Sequence, residues 1–222
     1  MLSSTWLQRT RHLELETSSL PERFIKGLTS ANLQGRAQII PDKVSEGDLV
    51  FYLDGAHSPE SMEVCANWFS IAIGDDNSKK DSAQILLFNC MSVRDPQLLF
   101  PRLVDTCGGH GVKFKKAIFV PNMSVYNKVG SSSSSLPQTD LKEVDNSWQL
   151  TLGRVWENII CCGESESETG SCESKNSMVF SSLPLAIKWL RDTAKQNKSV
   201  RLQVLVTGSL HLVGDVMKLV NK

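Results

Sequence analysis

Asp54 and His57, three residues apart in the run Phe51-Tyr52-Leu53-Asp54-Gly55-Ala56-His57-Ser58-Pro59-Glu60, are the side chains of this chain best suited to meet a ligand. A carboxylate at the end of a strand can accept both hydroxyls of a ribose. An imidazole beside the positive end of a helix favours an anion such as a carboxylate or phosphate. Val50 to Leu53 read as a buried strand, Ser58 is a good N-cap, Pro59 suits the first helical position and Glu60 suits the first turn. The pair therefore stands where a strand gives way to a helix. An aspartate that caps its own turn, with a histidine that only satisfies it, would produce the same spacing equally well.

The elements that must hold this turn follow from the pattern around it. From Leu49 onward apolar strands alternate with amphipathic helices, which argues for a mainly parallel sheet covered on both faces. A helix runs from about Ser58 to Ile71, with Met62, Ala66 and Phe69 on one face and Val64 and Trp68 beside it. After a charged loop from Gly74 to Ser82 come a strand at Ile85 to Phe88 and a helix opened by Asp95-Pro96. That helix carries Leu98, Leu99, Leu103 and Val104 and stops at Gly108-Gly109. Ala117 to Val120 form a strand, and Leu141 to Ile160 a helix with Val144, Trp148, Leu152, Val155 and Ile159 facing inward. Met178 to Ser181, a helix from Pro184 through Ile187 and Leu190, and a strand at Leu202 to Val206 follow. Thr207-Gly208-Ser209 then turns the chain into a final helix ending near Val220. A serine tract (Ser131 to Ser135) and a Glu/Ser-rich run (Gly163 to Ser177) have almost nothing to bury, so flexible loops are expected over 122–137 and 163–177.

Composition excludes several classes. Lys plus Arg and Asp plus Glu number 24 each, so no global field draws the chain to nucleic acid or to an acidic membrane. The one basic cluster, Lys113, Lys115 and Lys116, reads as a solvated strand entry. No apolar run approaches the roughly 18 residues of a membrane-spanning helix, and no secretory core follows Met1, so a soluble intracellular protein is expected. Six cysteines show no C-x-x-C pair and do not group with the four histidines, so no metal site is expected. Cys65, Cys90 and Cys107 read as small core residues, whereas Cys161, Cys162 and Cys172 suit either a polar loop or a labile redox pair.

The first 34 residues break the alternation. Trp6, Leu7, Leu20, Phe24, Ile25 and Leu28 have helical spacing with no preceding strand. Arg9, Arg11 and an absence of acids before Glu14 also suit a transit peptide, a reading weakened by Glu14, Glu16 and Glu22.

Three ordered segments are more specific than any of these features alone: Gly35-Arg36-Ala37-Gln38, the run from Phe51 to Met62, and Leu205-Val206-Thr207-Gly208-Ser209-Leu210-His211-Leu212-Val213-Gly214. Together they closely resemble the folylpolyglutamate synthases of the Mur ligase superfamily, in a form that looks eukaryotic and plant-like. The resemblance runs from about Leu20 to Val220 and implies the carboxyl-terminal domain. Its fold would be a Rossmann-like, mostly parallel sheet of about six strands that allows an antiparallel edge, with helices on both faces. Residues 1–34 would be the terminal helix of a central ATPase domain, and residues 35–222 the domain itself.

The family uses ATP and Mg2+, with a monovalent cation also implied, to join L-glutamate to the γ-carboxylate of tetrahydrofolates through an acyl phosphate. Phosphorylation removes the carboxylate's charge and supplies a leaving group; stabilising that transfer takes magnesium, a phosphate cradle and cationic partners. Carried over by position, Arg36 matches an arginine that meets ATP phosphates and Asp54 the acid that holds the ribose. His57 and Ser209 match residues near the incoming glutamate, with His57 at the reaction centre. Gly55 and Gly208 would let the backbone approach a ligand, or serve turn geometry alone. His211 is expected to serve helix packing.

No G-x-x-x-x-G-K-[ST] occurs anywhere in the chain, and the ATPase domain's magnesium carboxylate and second cationic lysine have no counterpart. The chain alone is therefore expected to be inactive, its partner being the ATPase domain or a full-length enzyme. A competing expectation is a non-catalytic short isoform that docks through Leu20, Phe24 and Leu28. A third, an unrelated α/β enzyme using the Asp54 crevice, lacks any G-x-G-x-x-G. The cytosol is the expected compartment, with mitochondrion and plastid as alternatives.

Overall fold

The computed structural model of the chain describes residues 21–31, 33–76, 80–124, 145–163 and 176–221. Its strands are β1 (Gln38–Pro41), β2 (Leu49–Leu53), β3 (Asp81–Phe88), β4 (Phe114–Phe119), β5 (Ser177–Val179) and β6 (Val200–Thr207). Its helices are α1 (Glu22–Ser30), α2 (Pro59–Gly74), α3 (Pro96–Gly109), α4 (Ser147–Gly163), α5 (Leu183–Gln196) and α6 (Leu210–Val220). They build one sheet in the order β1-β2-β6-β3-β4-β5, with β1 antiparallel to β2 and every other pairing parallel.

Burial on both faces explains why the strands read as unbroken apolar runs. All five residues of β2 are buried, as are the last six of β6. On one face α2, α3 and α4 cover the sheet with Met62, Phe69, Leu99, Phe100, Leu152 and Trp156; on the other, α5 and α6 bring Ile187, Leu190, Leu212 and Val216. The first face holds a run of aromatic edge contacts, Phe88–Phe100 at 4.8 Å and Phe100–Trp156 at 5.4 Å between centroids. Each such pair stabilises by about 0.5–1.5 kcal/mol beyond its buried area.

This division of helices places the site. Chain leaving β2, β3 and β4 turns to the first face, whereas chain leaving β5 and β6 turns to the second. Connections diverge on either side of β6, and the carboxyl end of a strand at such a switch point is where α/β sheets bind ligands.

Several expectations need adjusting. β1 has no strong strand pattern of its own; only the resemblance implied an antiparallel edge, and Pro41 is tolerated because it ends an edge strand. β3 begins at Asp81 and β6 at Val200, further upstream than their apolar cores, because the two pair in register from Asp81↔Val200 onward. The charged loop after α2 is partly tied down: Asp76 pairs with Arg201 at 2.6 Å and accepts from Gln203 Nε2 at 3.1 Å. Val64, read as lying beside the inner face of α2, and Leu98, read among the apolar residues of α3, are 37% and 59% exposed, and Phe100, which the sequence reading did not name, is buried in α3. The described part of α4 starts at Ser147, with Val144 outside the described residues, and the sequence reading passed over its largest buried side chain, Trp156.

Cys65, Cys90 and Cys107 are buried, as expected. Met123 and Ser124, at the start of the first expected loop, are tied to Asp215, while 125–137 and 164–175 lie outside the described residues. So do Trp6, Leu7, Arg9, Arg11 and Leu20. In α1, Phe24 is 63% exposed and Ile25 half-buried. No helix among the described residues is long and apolar enough to cross a membrane.

Candidate functional site

The β2–β6 ladder continues past both strand ends. The Asp54 amide donates to Val206 O at 3.1 Å and the Gly208 amide to Ala56 O at 2.9 Å, so the two loops clasp each other and set Asp54-Gly55-Ala56-His57 against Gly208-Ser209. The structure thus brings together residues 150 positions apart that the sequence offered separately.

Asp54 is joined by a third segment. One carboxylate oxygen lies 3.2 Å from Arg36 Nη1 and the other accepts the Ala37 amide at 3.0 Å. The turn that presents Arg36 is unusual, because Gly35 and Ala37 flank it at φ +75° and +45°. A left-handed conformation costs a non-glycine residue about 1–2 kcal/mol, so Ala37 stays there only under restraint. That restraint is visible: besides the Asp54 bond, the Gly35 amide donates to Gln38 Oε1 at 3.0 Å and Gly35 O accepts from the Gly55 amide at 3.1 Å.

His57 Nδ1 lies 2.9 Å from Gly55 O. A carbonyl oxygen only accepts, so Nδ1 carries the proton, and in that tautomer Nε2 is the ring's acceptor. The start of α2 fixes the residue further. Ser61 Oγ accepts the amides of His57 at 3.0 Å and Ser58 at 2.9 Å, while Ser58 Oγ accepts the Ser61 amide, a capping box in which serine replaces the usual Glu. Beneath the site, Cys65 Sγ donates to Thr207 Oγ1 at 3.7 Å; burial first, and then the charge of Asp54, push its thiol well up from the ordinary range.

Ser209 is buried and caps α6 by accepting the His211 amide at 3.1 Å. The His211 side chain is exposed, and its amide enters the cap. Gly55 and Gly208 permit close approach, but by this chain's own atoms. A Cβ on Gly55 would fall 2.3 Å from Leu210 Cδ2, and one on Gly208 would fall 2.6 Å from Asn89 O.

The sequence reading missed two polar groups beside this turn. Gln149 Nε2 donates to Asn89 Oδ1 at 3.1 Å and Asn89 Nδ2 to Asn122 Oδ1 at 3.0 Å, an amide chain across the ends of β3 and β4. Asp215, buried in α6, accepts the amides of Met123 and Ser124 and the Ser124 hydroxyl at 2.8–2.9 Å. An acid within the apolar stripe of Leu212, Val213, Val216 and Val220 was the available signal. Among the described residues no cluster of three or more His, Cys, Asp or Glu could hold a metal ion.

No family model matches the chain. Curated relatives match it fully: two folylpolyglutamate synthases of Arabidopsis thaliana are 54% and 42% identical over all of it, and that chain length covers 43% and 45% of theirs. A mitochondrial folylpolyglutamate synthase of Homo sapiens is 28% identical over 87% of the chain and 39% of its own length. The chain thus spans less than half the length of these relatives. Among solved structures, the Mycobacterium tuberculosis folylpolyglutamate synthase complexed with ADP and AMPPCP matches 92% of this chain and 36% of its own, with a TM-score of 0.53 and 15% identity. A bifunctional folylpolyglutamate synthase/dihydrofolate synthase of Yersinia pestis, complexed with AMPPNP and Mn ion, matches 94% and 37% with a TM-score of 0.52 and 18% identity. At those identities the likeness carries the fold: the mixed, mostly parallel six-stranded sheet expected from the sequence.

Proposed function

Because the chain belongs with the folylpolyglutamate synthases along its whole length, we propose that it forms one wall of an ATP-dependent ligase that adds L-glutamate to the γ-carboxylate of tetrahydrofolates. The observation that carries this reading is the clasp of the β2 and β6 loops, which sets Asp54 and His57 against Ser209 with Arg36 tethered beside them.

The residues present fit the two ends of a nucleotide. Asp54 is an acceptor whose oxygens already face two donors, the geometry a ribose diol requires, and Arg36, with its side chain 36% exposed, can turn a guanidinium fork toward phosphates. ATP supplies the phosphoryl group that converts a carboxylate into an acyl electrophile. His57 offers Nε2 as an acceptor to the amine of the incoming amino acid, its ring held in place by the Gly55 carbonyl. Ser209, fixed at the N-terminus of α6, lies where a carboxylate is favoured by the helix's positive end. The phosphate cradle and metal ligands are assigned to the ATPase portion of the longer protein.

On this reading the chain alone does not turn over, since losing even one group that stabilises phosphoryl transfer commonly costs about a hundredfold. Incubating it with Mg·ATP, labelled glutamate and tetrahydrofolate should give no product, and adding the ATPase portion of a relative should restore glutamate addition. Product from the chain alone, or none from the pair once a complex has formed, counts against the proposal. The exposure of Phe24 at 63% and Leu33 at 72% favours a second reading, a non-catalytic chain that docks on a full-length enzyme. Failure to co-purify with that enzyme removes it.

A further inference from the structure

We propose that the Arg36–Asp54 ion pair is a latch that a nucleoside polyphosphate opens by competing for both of its halves. The inference rests on the reading of Asp54 and Arg36 as the two ends of one nucleotide site. Those two side chains are not waiting apart for a ligand; they are spent on each other, Nη1 to Oδ1 at 3.2 Å. The second oxygen of Asp54 is engaged as well, by the Ala37 amide at 3.0 Å.

Closure holds strain. Ala37 lies at φ +45°, a conformation that an alanine leaves when nothing holds it, and the carboxylate of Asp54 is what its amide grips. Gly35, at φ +75°, is confined against α6, since a Cβ there would fall 2.9 Å from Val213 Cγ1. The turn can therefore pivot at Arg36 and Ala37 more readily than at Gly35. A vicinal diol donates to Asp54 and so displaces both Arg36 and the Ala37 amide. The phosphates of the same molecule offer the freed guanidinium a bidentate partner of higher charge. Nucleotide arrival is thereby converted into a change in the backbone that follows α1.

A latch makes an unusual prediction. A ligand that uses Asp54 but has no phosphate must break the ion pair without replacing it, so adenosine should bind more tightly to the Arg36→Gln variant than to the unaltered chain. A partly exposed ion pair of this kind corresponds to about a two- to fivefold gain in affinity. ADP should show the opposite sign, binding more weakly to Arg36→Gln because the phosphate contact is lost. Affinities of adenosine and ADP for the whole chain and for the variant, measured by titration calorimetry, test this directly, and hydrogen exchange at the Ala37 amide supplies a second readout. In the unaltered chain ADP should speed that exchange.

Adenosine affinity that is unchanged, lower or absent in Arg36→Gln overturns the latch, as does ADP binding that leaves Ala37 exchange unchanged or slows it. No binding of ADP to the unaltered chain overturns the nucleotide reading of the site and the latch with it. ADP binding that weakens in the variant without the adenosine gain leaves the site reading intact and removes the latch alone.

Discussion

Gly55→Ala should destabilise the fold by a steric route that a second substitution can reverse. The added Cβ would lie 2.3 Å from Leu210 Cδ2, 2.5 Å from its Cγ and 3.1 Å from its Cα. Carbon atoms settle at about 3.5–4.0 Å, so the leucine side chain must move by more than an ångström and the first turn of α6 by several tenths. Leu210 is 48% exposed and can swing outward; its Cα, fixed by the Ser209 cap, cannot retreat as easily. Overpacking of this kind costs about 1–3 kcal/mol. Leu210→Ala alone removes a half-exposed side chain and should cost about 1 kcal/mol, below the range for fully buried leucines. In the double variant the alanine at 210 vacates the space, and the combined loss should fall short of the sum by about 1 kcal/mol. Urea titration followed by tryptophan fluorescence reads all four proteins, with Trp156, 1% exposed, reporting on the core. Additive losses would refute the reasoning, since additivity means the two sites do not share the contact.

Gly208→Ala should be worse and beyond rescue: at φ +96°, with a Cβ 2.6 Å from both Asn89 O and Phe88 Cε2, it meets backbone as well as side chain and should lose about 2–4 kcal/mol by urea midpoint. Asp42→Ala should cost about 3 kcal/mol in the same assay, because Arg191, now bonded to both carboxylate oxygens at 2.8 and 2.9 Å, would be left half-buried and unpaired; a loss under about half that would contradict the packing described. Stability should also fall at alkaline pH. Burial raises the thiols of Cys90 to about 12 and Cys107 to about 11, from 9.0, and raises that of Cys65 as well. Above pH 9 the unfolded chain releases protons that the folded chain retains, so the stability these groups contribute is whole below 9.0 and lost as pH rises toward 11–12. A urea midpoint that stays level from neutral pH to about pH 11 would count against this.

The parts of the fold legible in the sequence were those governed by one local period. β2 and the core of β6 read as continuous apolar runs because both faces are covered, and Ser58-Pro59 announced α2 because a cap and a first-turn proline act within four residues. What was illegible depends on partners far along the chain. Gln38–Pro41 becomes a strand only because Leu53 to Val50 run beside it, and Asp81 and Val200 join strands because they meet each other. The same division holds at the site. Asp54, His57 and Ser209 were singled out by strand-end position and resemblance, but the grip of Asp54 on Arg36 and Ala37 spans 18 and 17 residues and has no local pattern. Asp215 could have been flagged as an acid on an apolar stripe. The amide chain of Asn89, Asn122 and Gln149 could not, since an isolated asparagine after a strand looks like any turn residue.

The position of β6 governs how the chain comes to be made. It is the last strand in sequence, yet it is inserted between β2 and β3, pairing with Leu49 to Leu53 on one side and with Asp81 to Phe88 on the other. Until Val200 to Thr207 has left the ribosome, two long apolar strands stand with open hydrogen-bonding edges and cannot satisfy one another. Such edges recruit other chains. A nascent chain paused just before β6 is therefore a natural client for a holdase chaperone, and release should follow synthesis of this one strand rather than accumulate gradually with length.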